Sequence, residues 1–298
     1  MGRRLLVVDF DFFFPNPAEW GAVGSAEQAL YDWQQDETFF QIGPVWTFHG
    51  ANFLRAGRPL PRCVGYEGFW DRVRFTTASP SLLFADSNMY AGGVRPVDYG
   101  LGGPPWEGWE EVHLFDAHHD CGYPDRDGAV PTLEQWTARG SYSCEDWMVV
   151  HHLDGAGLRV THPGWRPGGD PNPAVAPFIR QADDGAPVEG RFDAVFLCRS
   201  GAWVPAWCDD QFTDFLAAFP GTSAPVPSSG WAHPRPDVVP GAERLAALEN
   251  QLMARATGQV QMSPLPASAQ RHSPERGAGP PLSPDPARPA GPRAGGAG

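Results

Sequence analysis

Two clusters of acidic residues in the sequence each follow a run of apolar residues. Their ionisable members, spaced two positions apart, are Asp9 and Asp11 in the first cluster and Asp116, His118 and Asp120 in the second. A short β-branched and aromatic run bounded by turn residues predicts a buried strand. Because side chains alternate between the two faces of a strand, we expect the members of each cluster to share one face.

Carboxylates that are buried together need a compensating charge. If both strands end at the same edge of a sheet, four carboxylates and one imidazole meet at one place, and a metal centre would neutralise them. One imidazole among hard oxygen ligands suits Mn²⁺ or Fe²⁺ better than a thiolate-rich zinc site does. The alternative is that Asp116 and Asp120 merely cap a loop or a helix. Capping does not explain candidate ligands at every second position in two strands.

Both clusters resemble signatures of the arginase/ureohydrolase superfamily. Asp116-Ala117-His118-His119-Asp120 resembles its Asp-Ala-His-x-Asp signature, and Asp9-Phe10-Asp11 with the nearby Pro15 resembles its Asp-x-Asp signature. An Asp-x-Asp segment that precedes the other signature is similar to an arginase-related group that includes the peptide arginases. Those enzymes belong to ribosomal peptide natural-product pathways and convert arginine side chains of a precursor peptide to ornithine.

The resemblance implies a centre of two metal ions, usually Mn²⁺, with Fe²⁺ as an alternative. By position, Asp9 and Asp116 would bridge the two ions, Asp11 and His118 would bind one ion, and Asp120 would bind the other. Asp116 would also be catalytic. His119 lies between two ligands and is expected to relay a proton or to hydrogen-bond to a ligand.

One departure from the family concerns a further histidine. Arginases supply it from a Gly-Gly-Asp-His loop upstream of the Asp-Ala-His strand, whereas the corresponding segment here, 83–88, contains no histidine. Asp86 could take its place, His49 could reach the site, or one metal ion could be weakly held.

The segment 141–147 contains two candidate substrate-binding residues. The corresponding segment of arginases lines the substrate cleft, so the resemblance implies that Glu145 or Asp146 pairs with a guanidinium group. The alternative is a helix start, with Ser143 as N-cap and Asp146 at the third helical position.

A second group of residues follows the predicted strand over 192–198. Arg199 could bind a carboxylate of the substrate or of the protein, and Trp203 and Trp207 could form the floor of a peptide groove. Packing in the protein core explains the two tryptophans equally well.

Strands alternate with helices along the chain. The predicted strands are 4–10, 81–85, 111–116 and 192–198, and the predicted helices are 24–36, 144–153, 209–219 and 240–256. This order is typical of an α/β protein with a mainly parallel sheet, and we expect a three-layer αβα sandwich of the arginase/deacetylase type. Ligands bind such sheets at the carboxyl ends of the strands, where both acidic clusters lie.

Composition predicts one folded domain over residues 1–262. The segment 263–298 consists mostly of Pro, Gly, Ala, Ser and Arg and is predicted to be disordered. The net charge of −13 argues against nucleic acid or an anionic membrane surface as the main partner. The five cysteines are widely spaced with no CxxC pair, and no stretch is long enough to cross a bilayer, so we expect a cytoplasmic protein with reduced thiols.

The predicted function is hydrolysis of a guanidino group, with an arginine-containing peptide preferred over a small guanidino substrate. Alternatives are an amidohydrolase or deacetylase on the same fold, and a catalytically inactive protein that binds arginine-containing peptides. A phosphatase of the haloacid dehalogenase type also begins with Asp-x-Asp on its first strand. That mechanism normally needs a later lysine, which the chain lacks entirely, and it leaves the second cluster unexplained.

Overall fold

A computed structural model describes residues 2–15, 39–124, 128–166, 178–231 and 233–257. In this part of the chain, seven parallel strands form one sheet in the order β5-β4-β3-β1-β6-β2-β7. The strands are β1 Arg4–Asp9, β2 Ser81–Ala85, β3 Glu111–Phe115, β4 Gly157–His162, β5 Ile179–Ala182, β6 Ala194–Cys198 and β7 Thr222–Pro225.

The α-helices of the described residues cover both faces of the sheet. They are α1 Phe39–Arg55, α2 Leu133–Arg139, α3 Trp147–Leu153, α4 Asp209–Ala217 and α5 Val239–Ala256. None of them combines the length and apolar character that a helix needs to cross a bilayer. Short 3-10 helices connect several elements, and two of them, Phe10–Phe13 and Asn88–Gly93, follow β1 and β2.

Alternating residues of β1 separate two hydrophobic cores. Leu6 and Val8 belong to a core that includes residues of α1 and α4, whereas Leu5 and Val7 belong to a core that includes residues of α2 and α3. A sheet covered on both faces needs strands that are apolar at every position. The predicted three-layer αβα architecture with a parallel sheet is therefore confirmed.

The four predicted strands lie side by side in the sheet, in the order β3-β1-β6-β2, whereas β4, β5 and β7 were not predicted. The predictions over 4–10, 81–85, 111–116 and 192–198 are confirmed as β1, β2, β3 and β6, with ends that differ by up to two residues. The helices predicted over 209–219 and 240–256 are confirmed as α4 and α5. The helix predicted over 24–36 and the segment 263–298 lie outside the described residues.

The aromatic core beneath α4 is centred on Phe215, which is almost fully buried. Its ring stacks on Trp70 at a centroid distance of 4.6 Å and meets Phe10 and Phe69 at 5.6 and 5.7 Å. Contacts of this kind bring the 3-10 helix after β1, α4 and the 3-10 helix Phe69–Arg72 before β2 together.

Replacement of Phe215 by alanine should therefore lower the free energy of unfolding by about 3–5 kcal/mol, the loss typical of a buried phenylalanine. Urea denaturation measures this change. The neighbouring Asp214 is exposed, so Asp214→Ala should change the value by no more than about 0.5 kcal/mol. Equal effects of the two substitutions would contradict this packing.

Candidate metal centre

The carboxyl ends of four adjacent strands meet at one edge of the sheet. In the pairing of β1 with β3, Val8 lies opposite Phe115, and Asp116 is the next residue after β3. In the pairing of β1 with β6, Asp9 lies opposite Cys198, which also pairs with Ala85 at the end of β2. The segments that follow these strands therefore start side by side.

Turns, not strands, bring most of the acidic side chains together. Asp9 ends β1 and caps the 3-10 helix Phe10–Phe13, where its Oδ1 accepts a hydrogen bond from the backbone N–H of Asp11 at 3.1 Å. β3 ends at Phe115, so His118 and Asp120 also lie beyond a strand. The expectation that each cluster alternates along a strand was wrong, although both clusters do share one side of the sheet edge.

Asp11, Asp116 and His118 form the first group of the site. Nδ1 of His118 lies 3.0 Å from Oδ2 of Asp11 and 3.2 Å from Oδ1 of Asp116. All three side chains are buried, and each can offer a ligand atom within 4.8 Å of the others. This arrangement suits one cation bound by two carboxylates and an imidazole.

Asp9, Asp116 and Asp120 form the second group, which surrounds the side-chain amide of Asn88. Nδ2 of Asn88 lies 2.5 Å from Oδ2 of Asp9, 3.2 Å from Oδ2 of Asp116 and 3.1 Å from Oδ2 of Asp120. The two groups share Asp116. The structure thus brings together all five residues that the sequence predicted as metal ligands.

Asn88 is the residue of this site that the sequence interpretation missed. It lies in the segment 83–88, where arginases would be expected to supply their further histidine. The candidates considered there were Asp86 and His49. Asparagine is common in turns, so the residue type alone does not indicate a metal ligand. Its position three residues after a predicted strand does indicate that it lies at the same edge of the sheet as the acidic clusters.

The two candidates for the missing histidine lie elsewhere. Asp86 accepts hydrogen bonds from Arg199 at both carboxylate oxygens, including one of 2.7 Å from Nη2 to Oδ2. His49 lies on α1, with its ring 5.9 Å from the ring of Trp46. Arg199 also contacts Asp209, which answers the open question about its partner, since both of these carboxylates belong to the protein.

Burial dominates the electrostatics of the carboxylates. It raises the pKa values of Asp9, Asp116 and Asp120 well above the ordinary value, and neighbouring carboxylates raise them further. Burial also pushes the pKa of Asp11 upward, but the hydrogen bond and charge of His118 outweigh it and leave this pKa lowered. Burial disfavours the charged form of His118, yet Asp11 raises its pKa.

The donor set fits a pair of hard divalent cations. It consists of four carboxylates and one imidazole, with the amide of Asn88 beside them, and includes no thiolate. Oxygen donors with a single imidazole are typical ligands of Mn²⁺ and Fe²⁺. Cation binding would replace the protons that the raised pKa values retain in the metal-free protein.

Trp147 holds Asp120 in place at the start of α3. Its indole N–H donates to Oδ2 of Asp120 at 2.7 Å, and the backbone N–H of Met148 donates to the carbonyl oxygen of Asp120 at 3.2 Å. Such supporting hydrogen bonds orient metal ligands and tune their affinity.

Backbone strain is concentrated at the same edge. Among the described residues other than glycine, Asp120 and Ser200 are the ones with positive φ, at 48° and 59°. Ser200 is the second residue after β6, whose last residue, Cys198, pairs with Asp9. Strained backbone of this kind tends to persist at functional sites.

Glu145 and Asp146, the predicted substrate-binding residues, have different surroundings. Asp146 is buried, and its carboxylate accepts hydrogen bonds from the backbone N–H and hydroxyl of Ser143. α3 begins at Trp147, so the alternative with Ser143 as a helix N-cap is wrong in its bounds. Glu145 is exposed. Even so, partial shielding of its carboxylate from water and the charge of Asp146 raise its pKa, while the charge of His118 opposes them, which places Glu145 near the first group.

The two tryptophans considered for a peptide groove also differ. The ring of Trp203 lies 4.7 Å from the ring of His118 and is only partly buried. Trp207 is buried in the core, 5.5 Å from Trp46, and its indole N–H donates to the carbonyl oxygen of Pro61. Trp203 thus lies at the mouth of the site, whereas Trp207 is a core residue.

His119 is fully buried beside the ligands. Its Nδ1 accepts a hydrogen bond from the backbone N–H of Cys121 at 3.1 Å, and its ring stacks on Tyr123 at 4.1 Å. These contacts fix the ring in the turn between His118 and Asp120. A proton-relay role for His119 stays a prediction.

Comparison of the chain with protein-family models, with curated proteins and with solved structures returned no match. The fold and the geometry of the site therefore carry the functional argument.

The pKa shifts predict how the stability of the metal-free protein depends on pH. An aspartate of the unfolded chain has a pKa of about 3.9. Raised values in the folded state mean that the folded chain binds more protons, so stability falls as pH rises above this value. Asp9, Asp116, Asp120 and His118 act in this direction. The lowered pKa of Asp11 acts against it, and so do the pKa values of His49, His113 and His151, which burial lowers to about 4, 3 and 4.

We therefore expect the site residues to contribute a decrease of the thermal midpoint, measured in a chelator, between about pH 5 and pH 8, against the rise that the three histidines contribute as pH approaches the ordinary histidine pKa. Asp120→Asn should make this decrease shallower, because it removes one of the repelling carboxylates. The matched substitution Asp214→Asn, at an exposed position, should leave the slope unchanged. Equal slopes in all three proteins, or a steeper decrease in Asp120→Asn, would contradict the assigned electrostatics.

Proposed function

We propose that this chain is a metal-dependent hydrolase that acts on a guanidino group, converting arginine residues of a peptide to ornithine with release of urea. One observation supports this most strongly. The two sequence clusters that resemble arginase signatures meet in one buried site, in two groups that share Asp116. The site also lies at the carboxyl edge of a parallel sheet, where α/β proteins bind their ligands.

Asp9, Asp11, Asp116, His118 and Asp120 would hold two divalent cations. Bound cations of this kind activate water as a nucleophile near neutral pH. A guanidinium carbon is a poor electrophile, so a nucleophile held in a fixed position beside it is the main requirement of the reaction.

The residues around the mouth of the site suit a cationic substrate. Glu145 is exposed near His118, and its carboxylate can pair with a guanidinium group. Trp203 presents a partly buried ring beside His118, over which a cation is attracted by the aromatic face. The leaving amine would take its proton through Asp116 or His119. We favour peptidyl arginine over free arginine because of the resemblance to peptide arginases and because of Trp203.

One observation favours a second candidate, an amidohydrolase or deacetylase that uses the same site. Arg166 is only 4% exposed, and its charge is among the influences that lower the pKa of His118, after burial and against the effect of Asp11. A buried guanidinium whose charge reaches His118 would repel a cationic substrate but stabilise negative charge that develops on an amide oxygen.

Incubation of the Mn²⁺-loaded protein with arginine-containing peptides tests the proposal. We expect urea release and the mass loss that separates arginine from ornithine, both followed by mass spectrometry and a urea assay. Asp116→Ala and Asp9→Ala should abolish turnover while the circular dichroism spectrum persists. Asp214→Ala serves as the control.

Each alternative has its own result in this experiment. Full activity of either aspartate variant would remove the site assignment. Deacylation of an amide substrate without urea would favour the amidohydrolase, and peptide binding without any turnover would favour the inactive binding protein.

Glu145→Gln should weaken recognition of the substrate more than it slows the chemical step. We expect the KM for peptidyl arginine to rise about tenfold, the loss typical of one hydrogen bond to a charged group, with a smaller change in kcat. Steady-state kinetics measure both values. Glu134→Gln, at an exposed position on α2, is the matched control. An unchanged KM would exclude Glu145 from substrate binding.

A further inference from the structure

Asn88 occupies a fixed and buried position at the carboxyl edge of the sheet. It is the first residue of the 3-10 helix Asn88–Gly93, which Ser87 caps by accepting a hydrogen bond from the backbone N–H of Met89 at 3.1 Å. The residue is only 2% exposed. Its side chain is therefore held against the acidic cluster and away from solvent.

The hydrogen bonding of the Asn88 amide is unbalanced. Its Nδ2 carries two hydrogens but lies within 3.2 Å of three carboxylate oxygens, one each from Asp9, Asp116 and Asp120. Its Oδ1 is buried and has no hydrogen-bond partner among the described residues. A buried acceptor without a partner destabilises the protein, so its retention here needs a reason.

Three carboxylate oxygens that converge on one point are typical ligands of a cation. In the metal-free chain the amide must turn its N–H groups toward them, because Oδ1 would be repelled. Rotation of the amide exchanges Oδ1 and Nδ2 with little change in shape. A divalent cation held by the three carboxylates would reverse the preference and attract Oδ1.

We propose that Asn88 is a metal ligand through Oδ1 and that it completes, with Asp9, Asp116 and Asp120, a cation site composed only of oxygen donors. This inference rests on the metal centre of the proposed function and departs from it in one respect. Where the resemblance to arginases suggested a histidine ligand, this chain would supply the amide oxygen of Asn88. The two cation sites would therefore differ in their ligand atoms, since only one of them includes an imidazole nitrogen.

The difference predicts different metal preferences. The site of Asp11, Asp116 and His118 includes an imidazole and suits Mn²⁺ or Fe²⁺. The all-oxygen site suits harder cations, including Mg²⁺ and Ca²⁺ as well as Mn²⁺. Two divalent cations also match the charge of the four carboxylates, whereas one would leave half of that charge uncompensated.

Metal stoichiometry measured on the full-length chain tests this inference without relying on activity. Chelator-treated protein is dialysed against Mn²⁺ and its metal content measured, and electron paramagnetic resonance of Mn²⁺ shows whether two ions lie close together. We expect two ions per wild-type chain, with excess Mg²⁺ displacing only one of them.

Substitutions of Asn88 identify the ion that it binds. In Asn88→Ala, the affinity for the Mg²⁺-sensitive ion, the one that excess Mg²⁺ displaces, should fall about tenfold or more, while the other ion is retained. Removal of a residue that only supports a metal ligand already causes a loss of this size. Asn88→Asp keeps an oxygen ligand and adds charge, so it should bind two ions and hold the Mg²⁺-sensitive one more tightly. Asn250→Ala, at an exposed position on α5, is the control.

The outcomes separate this inference from the proposed function. Two ions with unchanged affinity in Asn88→Ala, or a single ion in the wild type, would overturn the role of Asn88 and leave the other cation site standing. Absence of any bound ion in the wild type would overturn both. If Asn88→Ala does not fold, failure of Mn²⁺ to stabilise Asn88→Asp more than the wild type would by itself contradict the inference.

Discussion

Mutual repulsion among four buried aspartates is the constraint on which the site depends. Asp9, Asp11, Asp116 and Asp120 lie at the edge of a sheet whose two faces are covered by apolar cores, so little water reaches them. The same burial that gives the fold its stability raises the pKa values of three of these carboxyls. Such a cluster is tolerable only with protons or cations between its members.

The scaffold around the cluster is correspondingly rigid. Trp147 and the backbone of α3 hold Asp120, and the 3-10 helix after β1 fixes Asp11 against His118. On the other side of β1, Arg199 joins Asp86 after β2 to Asp209 at the start of α4. Rigid support of this kind keeps like charges close together. Mobile loops would instead move apart and so reduce the repulsion between the carboxylates.

The sequence allowed the interior of the sheet to be predicted better than its margins. Apart from their end residues and His113, β1, β3 and β6 are apolar because both of their faces are buried. The outer strands β5 and β7 are largely exposed and short, so they carry no such pattern. Helix α2 was missed although Thr132 and Gln135 form a capping box, a signal that sequence inspection can detect.

The site itself was predictable in its ligands but not in its geometry. The types and spacing of the five ligands pointed to a metal centre, yet the reason given, alternation along strands, was wrong for Asp11, His118 and Asp120. Turns with 3-10 or positive-φ backbone position these residues, and such turns have weak sequence signals. The role of Asn88 depends on contacts between segments far apart in the chain, which no local pattern encodes.

The order of strands in the sheet has a consequence for biosynthesis. β1 lies between β3 and β6, both of which follow it by many residues in the chain. A nascent polypeptide leaves the ribosome with β1 ahead of either neighbour, and pairings between distant segments form slowly. Until residue 120 has been translated, no fragment contains the complete set of oxygen donors, so cations cannot assist the folding of β1 before β3 has also been made.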